Sequence, residues 1–503
     1  MGSSRVRTAP RASWASIPTR CARAWSGSGS WAPRHGAQGD LVAEERCRIM
    51  RPWSAACSQG RPMRDQSLPI LHQSNAGLLP HPSKLFVEVT TRCNLHCAMC
   101  VKEAQGQRIR EGDMTRETYE RLAPAFPHLQ ALILNGIGEP LLNRNLEHFV
   151  ELAKRDMPAS GWIGFQTNGQ LLGAKRAQSL ASAGVDRICI SADAVSPDVF
   201  SSLRRGGRHE AIENAAAALH AAAAQRGRPI ALGIEFVAMR ENLDQLPELV
   251  RWAARTGIGF IIVTHMLPYS AEMTHAVAFD AATDRAVRLF SDWKARAATE
   301  GVDLGRYFDV FLKFRPSPDE QRVIEYVRNM VGDASAQGIS LHLARLLGYD
   351  PSVSHRAASA FAEAQEIAAR ENIDLRLPAS TPTQQRRCEF VESGGAFISW
   401  DGGVHPCYFL WHRYSCHIAG VVKNVQPRSF GNLAQRDIVG IWNDEAARSF
   451  REAVLRYDFP FCYDCNHALC DYVQDEEFTQ DCHLNTVPCA ACLWCTGVFQ
   501  CLQ

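Results

Sequence analysis

Between residues 84 and 265 the chain alternates two periodicities, and that alternation limits its fold more than any other feature. Short apolar runs at 84–90, 130–135, 162–167, 186–191, 230–237 and 259–265 read as strands. Between them, apolar residues recur at helical spacing. Tyr119, Leu122, Ala123 and Phe126 mark a helix starting near Thr115, and Leu146, Phe149, Val150 and Ala153 mark the next. Residues 172–183, an Ala-rich stretch near 209–225, and a segment with Leu246, Leu249, Val250 and Ala253 complete five helices. Such alternation predicts an α/β fold with parallel strands joined by right-handed crossovers. A partial barrel and a doubly wound open sheet read alike at this level, and both keep their chemistry at the C-terminal strand ends.

Those ends are polar. The first strand runs into Cys93-Asn94-Leu95-His96-Cys97-Ala98-Met99-Cys100, three thiols spaced CxxxCxxC. Three soft thiolates on a short loop can hold three irons of a cubane and leave the fourth iron open. The other uses of such thiols are as buried small hydrophobes or a zinc site, and zinc wants a fourth ligand that His96 is awkwardly spaced to supply. Asn135-Gly136-Ile137-Gly138-Glu139-Pro140 follows the second strand, and Gln166-Thr167-Asn168-Gly169 ends the third. Ser191-Ala192-Asp193 ends the fourth, and His265 ends the sixth. Taken singly, Asn168-Gly169 is a turn, Ser191 and Asp193 are helix caps, and Arg204 is a surface charge. His265 and Cys189 read as interior residues.

With 503 residues the chain has room for two or three domains, and 46% hydrophobic content with a net charge of +1 describes an ordinary globular composition. That balance points to neither nucleic acid nor a membrane surface as partner, and no run of 18 apolar residues is present. Residues 1–80 are rich in Arg, Ser, Ala, Gly and Pro, with six Arg before the first acidic residue, Asp40. Sustaining no period, they are expected to be disordered. A transit peptide has similar composition, and a later start at Met50 or Met63 is an equal reading. Residues 270–385 carry no cysteine, read as mainly helical between Pro316, Pro318, Pro351 and Pro378, and form an insertion or bridge. The Ala/Glu-rich stretch 357–370 is expected to face solvent.

Of 18 cysteines, eleven lie between Cys388 and Cys501 in tight clusters, which favours metal binding in a reducing, cytoplasmic setting over a disulfide scaffold. Thirteen residues separate Cys388 from Gly402-Gly403-Val404-His405-Pro406-Cys407, where Asp401-Gly402 predicts a hairpin turn. Cys462-Tyr463-Asp464-Cys465, Cys470, Cys482, Cys489, Cys492 and Cys495 follow. Eight thiols suffice for two closed clusters. Zinc can occupy such CxxC pairs too, but has no redox chemistry.

The cysteine loop, the Gly-Glu-Pro after the second strand and the polar ends beyond it resemble the radical S-adenosylmethionine (SAM) superfamily over about 84–268. The resemblance implies a partial (β/α)6 barrel in which Cys93, Cys97 and Cys100 hold a 4Fe–4S cluster. The open iron would bind SAM through its amino and carboxylate groups. One electron then splits the sulfonium, giving methionine and a 5′-deoxyadenosyl radical that takes hydrogen from a substrate. By the same resemblance Met99 supports the adenine through its backbone, and Gly138 and Glu139 lie where backbone receives the amino group. Asn168, Ser191 and Asp193 contact the ribose and methionine portions, and Arg204 grips the carboxylate.

Residues 388–503 are similar to the SPASM extension, a small cysteine-rich domain with two auxiliary 4Fe–4S clusters. Its pattern puts five residues after CxxC and another cysteine four positions later. Here four residues lie between Cys465 and Cys470, and the next cysteine is Cys482. Cys388, Cys407, Cys462, Cys465 and Cys470 are expected ligands, the remaining three come from Cys482, Cys489, Cys492 and Cys495, and Cys416 and Cys501 are spare. The tail resembles maturases associated with tungsten-cofactor aldehyde oxidoreductases. That implies a tungsten- or molybdenum-type pyranopterin cofactor, or the protein carrying it, as substrate, and a low-potential donor such as ferredoxin or flavodoxin. Two alternatives stand beside this one, a SPASM maturase modifying a peptide or protein, and a non-enzymatic iron–sulfur electron carrier.

Overall fold

The computed structural model describes residues 78–502 apart from 105, 108, 348–350, 419–420, 461 and 463–477. The expectation for residues 1–80 therefore falls almost wholly outside the described residues.

The strands in chain order are β1 (Lys84–Val87), β2 (His96–Cys97), β3 (Ala131–Ile133), β4 (Trp162–Thr167), β5 (Arg187–Ser191), β6 (Arg204–Arg205) and β7 (Ala231–Ala238). They continue with β8 (Phe260–His265), β9 (Asp374–Arg376), β10 (Gly395–Ile398), β11 (Gly403–His405), β12 (Tyr414–Ile418), β13 (Val421–Val425) and β14 (Gly431–Asn432). One sheet runs β14-β11-β10-β1-β3-β4-β5-β7-β8-β9. Every pairing from β10 to β9 is parallel, as βαβ crossovers require, and only β11 runs against the others, pairing antiparallel with β10 on one side and β14 on the other.

The helices form where the periodicity predicts. Leu146–Asp156 buries Leu146, Phe149, Val150 and Ala153. Ala174–Ala183 stops at left-handed Gly184, and Glu210–Arg226 at left-handed Gly227. The helix begun by the Thr115 cap is shorter than its pattern suggested. It spans Arg116–Glu120 and gives way to a 3-10 segment, Ala123–His128, that contains Pro127. Strand faces alternate, so one side of the sheet packs under the helices through Leu85, Val87, Leu132, Ile163, Ile188 and Ile234. The other side carries Phe86, Ile133, Cys189, Ile262 and Phe397 into a second cluster with Phe390, Tyr408 and Leu502. Residues of the C-terminal region thus pack against the inner face of the sheet.

Two expectations change. The stretch 357–370 belongs to a helix, Pro351–Glu371, that faces solvent on one side only. It buries Ala357, Ala360, Phe361, Ala364, Ile367 and Ala368 against the main core beside the helix Leu246–Arg255. Alanine is small enough to let helices approach closely, and such a face carries little apolar contrast in sequence. The segment 270–385 also supplies β9, which extends the parallel sheet beyond β8.

Candidate active site

The cysteine loop leaves β1 through two threonine clamps. Thr90 Oγ1 accepts from Arg92 N at 3.0 Å and donates to Asp113 Oδ1 at 2.6 Å, while Thr91 Oγ1 donates to the Arg110 carbonyl at 2.9 Å. Further along, β2 pairs with β6, which places Cys97 opposite Arg204, and Ala98 N donates to the Leu203 carbonyl at 2.9 Å. Cys93, Cys97 and Cys100 are all half-buried. Burial raises each thiol, Cys100 to about 11, and the thiols lie near enough to raise one another, while Arg204 opposes the shift at Cys97. Two N–H donors approach the sulfurs: Asn168 Nδ2 stands 3.9 Å from Cys93, and Arg204 Nη1 stands 3.9 Å from Cys97. Soft sulfurs with donors beside them suit a thiolate-held iron–sulfur cluster. Among the described residues no three His, Cys, Asp or Glu side chains converge closely enough to hold a single metal ion.

The Gly-Glu-Pro loop docks on the same stretch of chain. Glu139 N donates to the Arg92 carbonyl at 2.7 Å. Gly138 is obligatory there, because a Cβ would fall 2.4 Å from the Thr90 carbonyl oxygen. The Glu139 side chain is 2% exposed, and its oxygens accept from Asn168 N at 2.7 Å, Thr167 Oγ1 at 2.8 Å and Leu141 N at 3.1 Å. It is spent on locking two strand ends together, and Asn168 is thereby held against Cys93.

Arg204 and Asp193 form a buried ion pair, Nε to Oδ2 at 2.7 Å, and Asp193 Oδ1 also accepts from Val237 N at 2.8 Å. Burial works to lower Arg204, but Asp193, Cys97 and Glu235 together outweigh it and the guanidinium is held charged. Ser191 is buried on β5 two residues away. Met99 is half-buried against Leu203, Met239, Met266 and Ala276. All seven residues expected to contact the cofactor thus lie on the loops and strand ends around the thiols. His265 faces the other way, buried against Phe279 and Phe361.

Sequence reasoning passed over several residues. Glu88 has the same strand parity as Phe86 and carries a wholly buried carboxylate, which accepts from Ile137 N at 3.2 Å and contacts His412 Nε2 at 3.0 Å. Glu235, on β7, faces Arg204 and Asp193; burial pushes it up to about 7, with Asp193 adding to the rise and Arg204 opposing it. Asn135 and Tyr408 carry buried polar atoms, Oδ1 and the hydroxyl, with no hydrogen-bond partner among the described residues. The available signal was a charged residue at an inward position of an apolar strand.

A second thiol group lies in the C-terminal region. Cys388, Cys407, Cys489, Cys492 and Cys495 line one cavity of about 220 Å³, walled by Phe409, Phe459 and Trp494. Burial raises Cys388 to about 12 and pushes Cys407 and Cys489 up, with neighbouring thiols adding to each rise. The space and its soft donors fit a closed iron–sulfur cluster. Of the other expected ligands, Cys462 is half-buried and Cys482 exposed, whereas Cys465 and Cys470 lie outside the described residues. Cys416 is buried within β12, where burial raises it to about 12.

The radical SAM superfamily pattern matches residues 87–253, and the SPASM pattern, an iron–sulfur cluster-binding domain, matches 388–466. The chain is a radical SAM enzyme with a SPASM domain. Radical SAM domains carry a 4Fe–4S cluster and SAM, and SPASM domains bind auxiliary iron–sulfur clusters. A similar relative is the tungsten-containing aldehyde ferredoxin oxidoreductase cofactor-modifying protein of Pyrococcus furiosus, 27% identical over 426 residues, covering 83% of this chain and 96% of the relative. The GTP 3′,8-cyclase of Bradyrhizobium diazoefficiens is 34% identical over 189 residues, and there the match spans 53% of the relative. Among solved structures, Streptococcus suis SuiB is similar with a TM-score of 0.46 at 14% identity, over 86% of this chain and 89% of that one. No helix among the described residues is long and apolar enough to cross a membrane.

Proposed function

We propose that this radical SAM enzyme acts in the maturation of a tungsten- or molybdenum-type pyranopterin cofactor, or of the oxidoreductase that carries it. The observation that carries this reading is the match to the cofactor-modifying protein, which runs through both domains and spans 96% of that relative. Cys93, Cys97 and Cys100 would hold the SAM-binding cluster. Together with SAM that cluster supplies a 5′-deoxyadenosyl radical for hydrogen abstraction.

The chain's own residues orient and protect. Asn168 and Arg204 direct N–H groups at two sulfurs, Glu139 locks the loop that would receive the amino group of SAM, and Arg204, held charged, would pair with its carboxylate. Aromatic side chains from the C-terminal region, Tyr408 and Trp411, close the barrel interior and exclude water. Cys388, Cys407, Cys489 and Cys492 would hold one auxiliary cluster in the cavity that Cys495 also lines, and Cys462, Cys465, Cys470 and Cys482 would hold a second. The protein works in the cytoplasm, where thiols stay reduced, with a ferredoxin- or flavodoxin-type donor.

The test is anaerobic reconstitution followed by iron counting and a product assay. About twelve irons per chain are expected, about eight after Cys93, Cys97 and Cys100 are changed to Ala. Reduced wild type should release 5′-deoxyadenosine, and the triple variant none. A fully assembled protein that leaves SAM intact would refute the reading.

A further inference from the structure

The carboxylate of Glu88 is wholly buried, yet no Lys or Arg among the described residues pairs with it. It accepts instead from Ile137 N at 3.2 Å, meets Trp400 N at 3.5 Å, and engages His412 Nε2 through both oxygens, at 3.1 and 3.0 Å. Gly136 passes directly over it, since a Cβ there would fall 2.4 Å from Glu88 Cγ. The site is therefore built from four separate parts of the chain: the end of β1, the Gly136–Gly138 loop, the turn between β10 and β11 that carries Trp400, and the segment between β11 and β12.

His412 is the ionisable side chain of this group that remains reachable. Its side chain is 16% exposed, and Nδ1 has no hydrogen-bond partner among the described residues. A buried carboxylate against Nε2 keeps the proton on that nitrogen and leaves a lone pair on Nδ1. The same carboxylate stabilises the ring once Nδ1 gains a proton. Trp411 beside it stands edge-on to Phe397, 4.5 Å between ring centroids, within the aromatic set on the inner face of the sheet.

We propose that His412, oriented by Glu88, is the proton acceptor for the substrate held in the barrel. In this step an O–H or N–H bond of the substrate breaks, its proton forms the Nδ1–H bond, and the electron pair stays on the substrate. The imidazolium is then paired with the Glu88 carboxylate. Proton removal next to a carbon-centred radical makes that radical a stronger reductant, which complements hydrogen abstraction in the same compartment. The inference rests on the reading above that a substrate is processed inside the barrel. Glu88 and His405 face His412, with Asp401 beyond His405 and exposed Arg413 adjacent in sequence; Tyr408 faces Glu88.

The test uses the reconstituted full chain, SAM, a reductant, and pyranopterin cofactor released from a tungsten aldehyde oxidoreductase as the probe, with the product followed by mass. H412Q is expected to lower product formation about 100-fold. Added imidazole should restore H412G at least tenfold, on the order of the lost proton transfer. E88Q is expected to lower product formation with iron content unchanged, because the amide no longer orients the ring. Iron content checks that each variant is assembled. If wild type converts the probe while H412Q stays within threefold of it, or H412G ignores imidazole, the proposal is overturned and the cofactor reading survives. If wild type releases 5′-deoxyadenosine but leaves the probe unchanged, the cofactor reading fails and this proposal falls with it.

Discussion

Arg204 serves two partners at once, a buried carboxylate on one side and a cysteine sulfur on the other. Asp193 is 0% exposed, so removing the guanidinium strands a negative charge in the barrel wall. Breaking such a pair from one side costs ~3–5 kcal/mol, more than replacing both partners. R204A should therefore lower the denaturant midpoint of the apoprotein sharply, and R204A/D193N should recover part of the loss. Equal midpoints for the single and double variants would contradict the pairing. His265 makes a separate prediction. Burial lowers it to about 4, only partly opposed by a contact with the Ala379 backbone. Its folded value lies below the ordinary 6.5, so the unfolded chain binds the proton first as pH falls. Stability contributed at neutral pH should decline from about pH 6.5 down to 4, by ~3 kcal/mol in all. H265L should flatten part of the slope of melting temperature against pH over that window.

The elements that matter are loops at strand ends, held by glycine where backbones cross. Gly138 is enclosed by the carbonyls of Thr90 and Arg92, with a Cβ 2.4 and 2.6 Å away. Backbone atoms cannot move aside as a flexible side chain would, so G138A should displace the cysteine loop. The expected result is loss of about four irons on reconstitution with the auxiliary clusters intact. At the Asp401-Gly402 turn the strain is conformational: Gly402 has φ of +85°, and Ala there should cost ~1 kcal/mol and leave iron content unchanged. The helix Pro351–Glu371 shows why one element was misread. Its inward face is mostly alanine, and only Phe361 and Ile367 mark the side that meets the core. F361A should cost ~3–5 kcal/mol, read by denaturant unfolding, as expected of a core aromatic and not of a solvent-facing one.

At the scale of the molecule, the radical SAM and SPASM regions share one sheet. β10 pairs in parallel with β1 over four residues, so the first barrel strand lies between its own neighbour β3 and a strand from 300 residues later. Ending the chain before Cys388 would strip β1 of that partner and expose an apolar edge. Such a truncation is expected to aggregate on purification instead of yielding a smaller folded core, as size-exclusion chromatography would show.

Local chemistry made much of this legible in the sequence. Period-2 and period-3.6 patterns reflect which side chains can meet within one element, so strand and helix positions followed from spacing alone, as did the three thiols of a single loop. What the tertiary structure alone decided were meetings between distant residues. Glu88 and His412 lie 324 positions apart. Cys388 and Cys407 share a cavity with Cys489 and Cys492. The alanine face of a helix is buried because another helix lies against it. No spacing rule encodes such partners, because they come together only when burial of the sheet's two faces folds the chain back on itself.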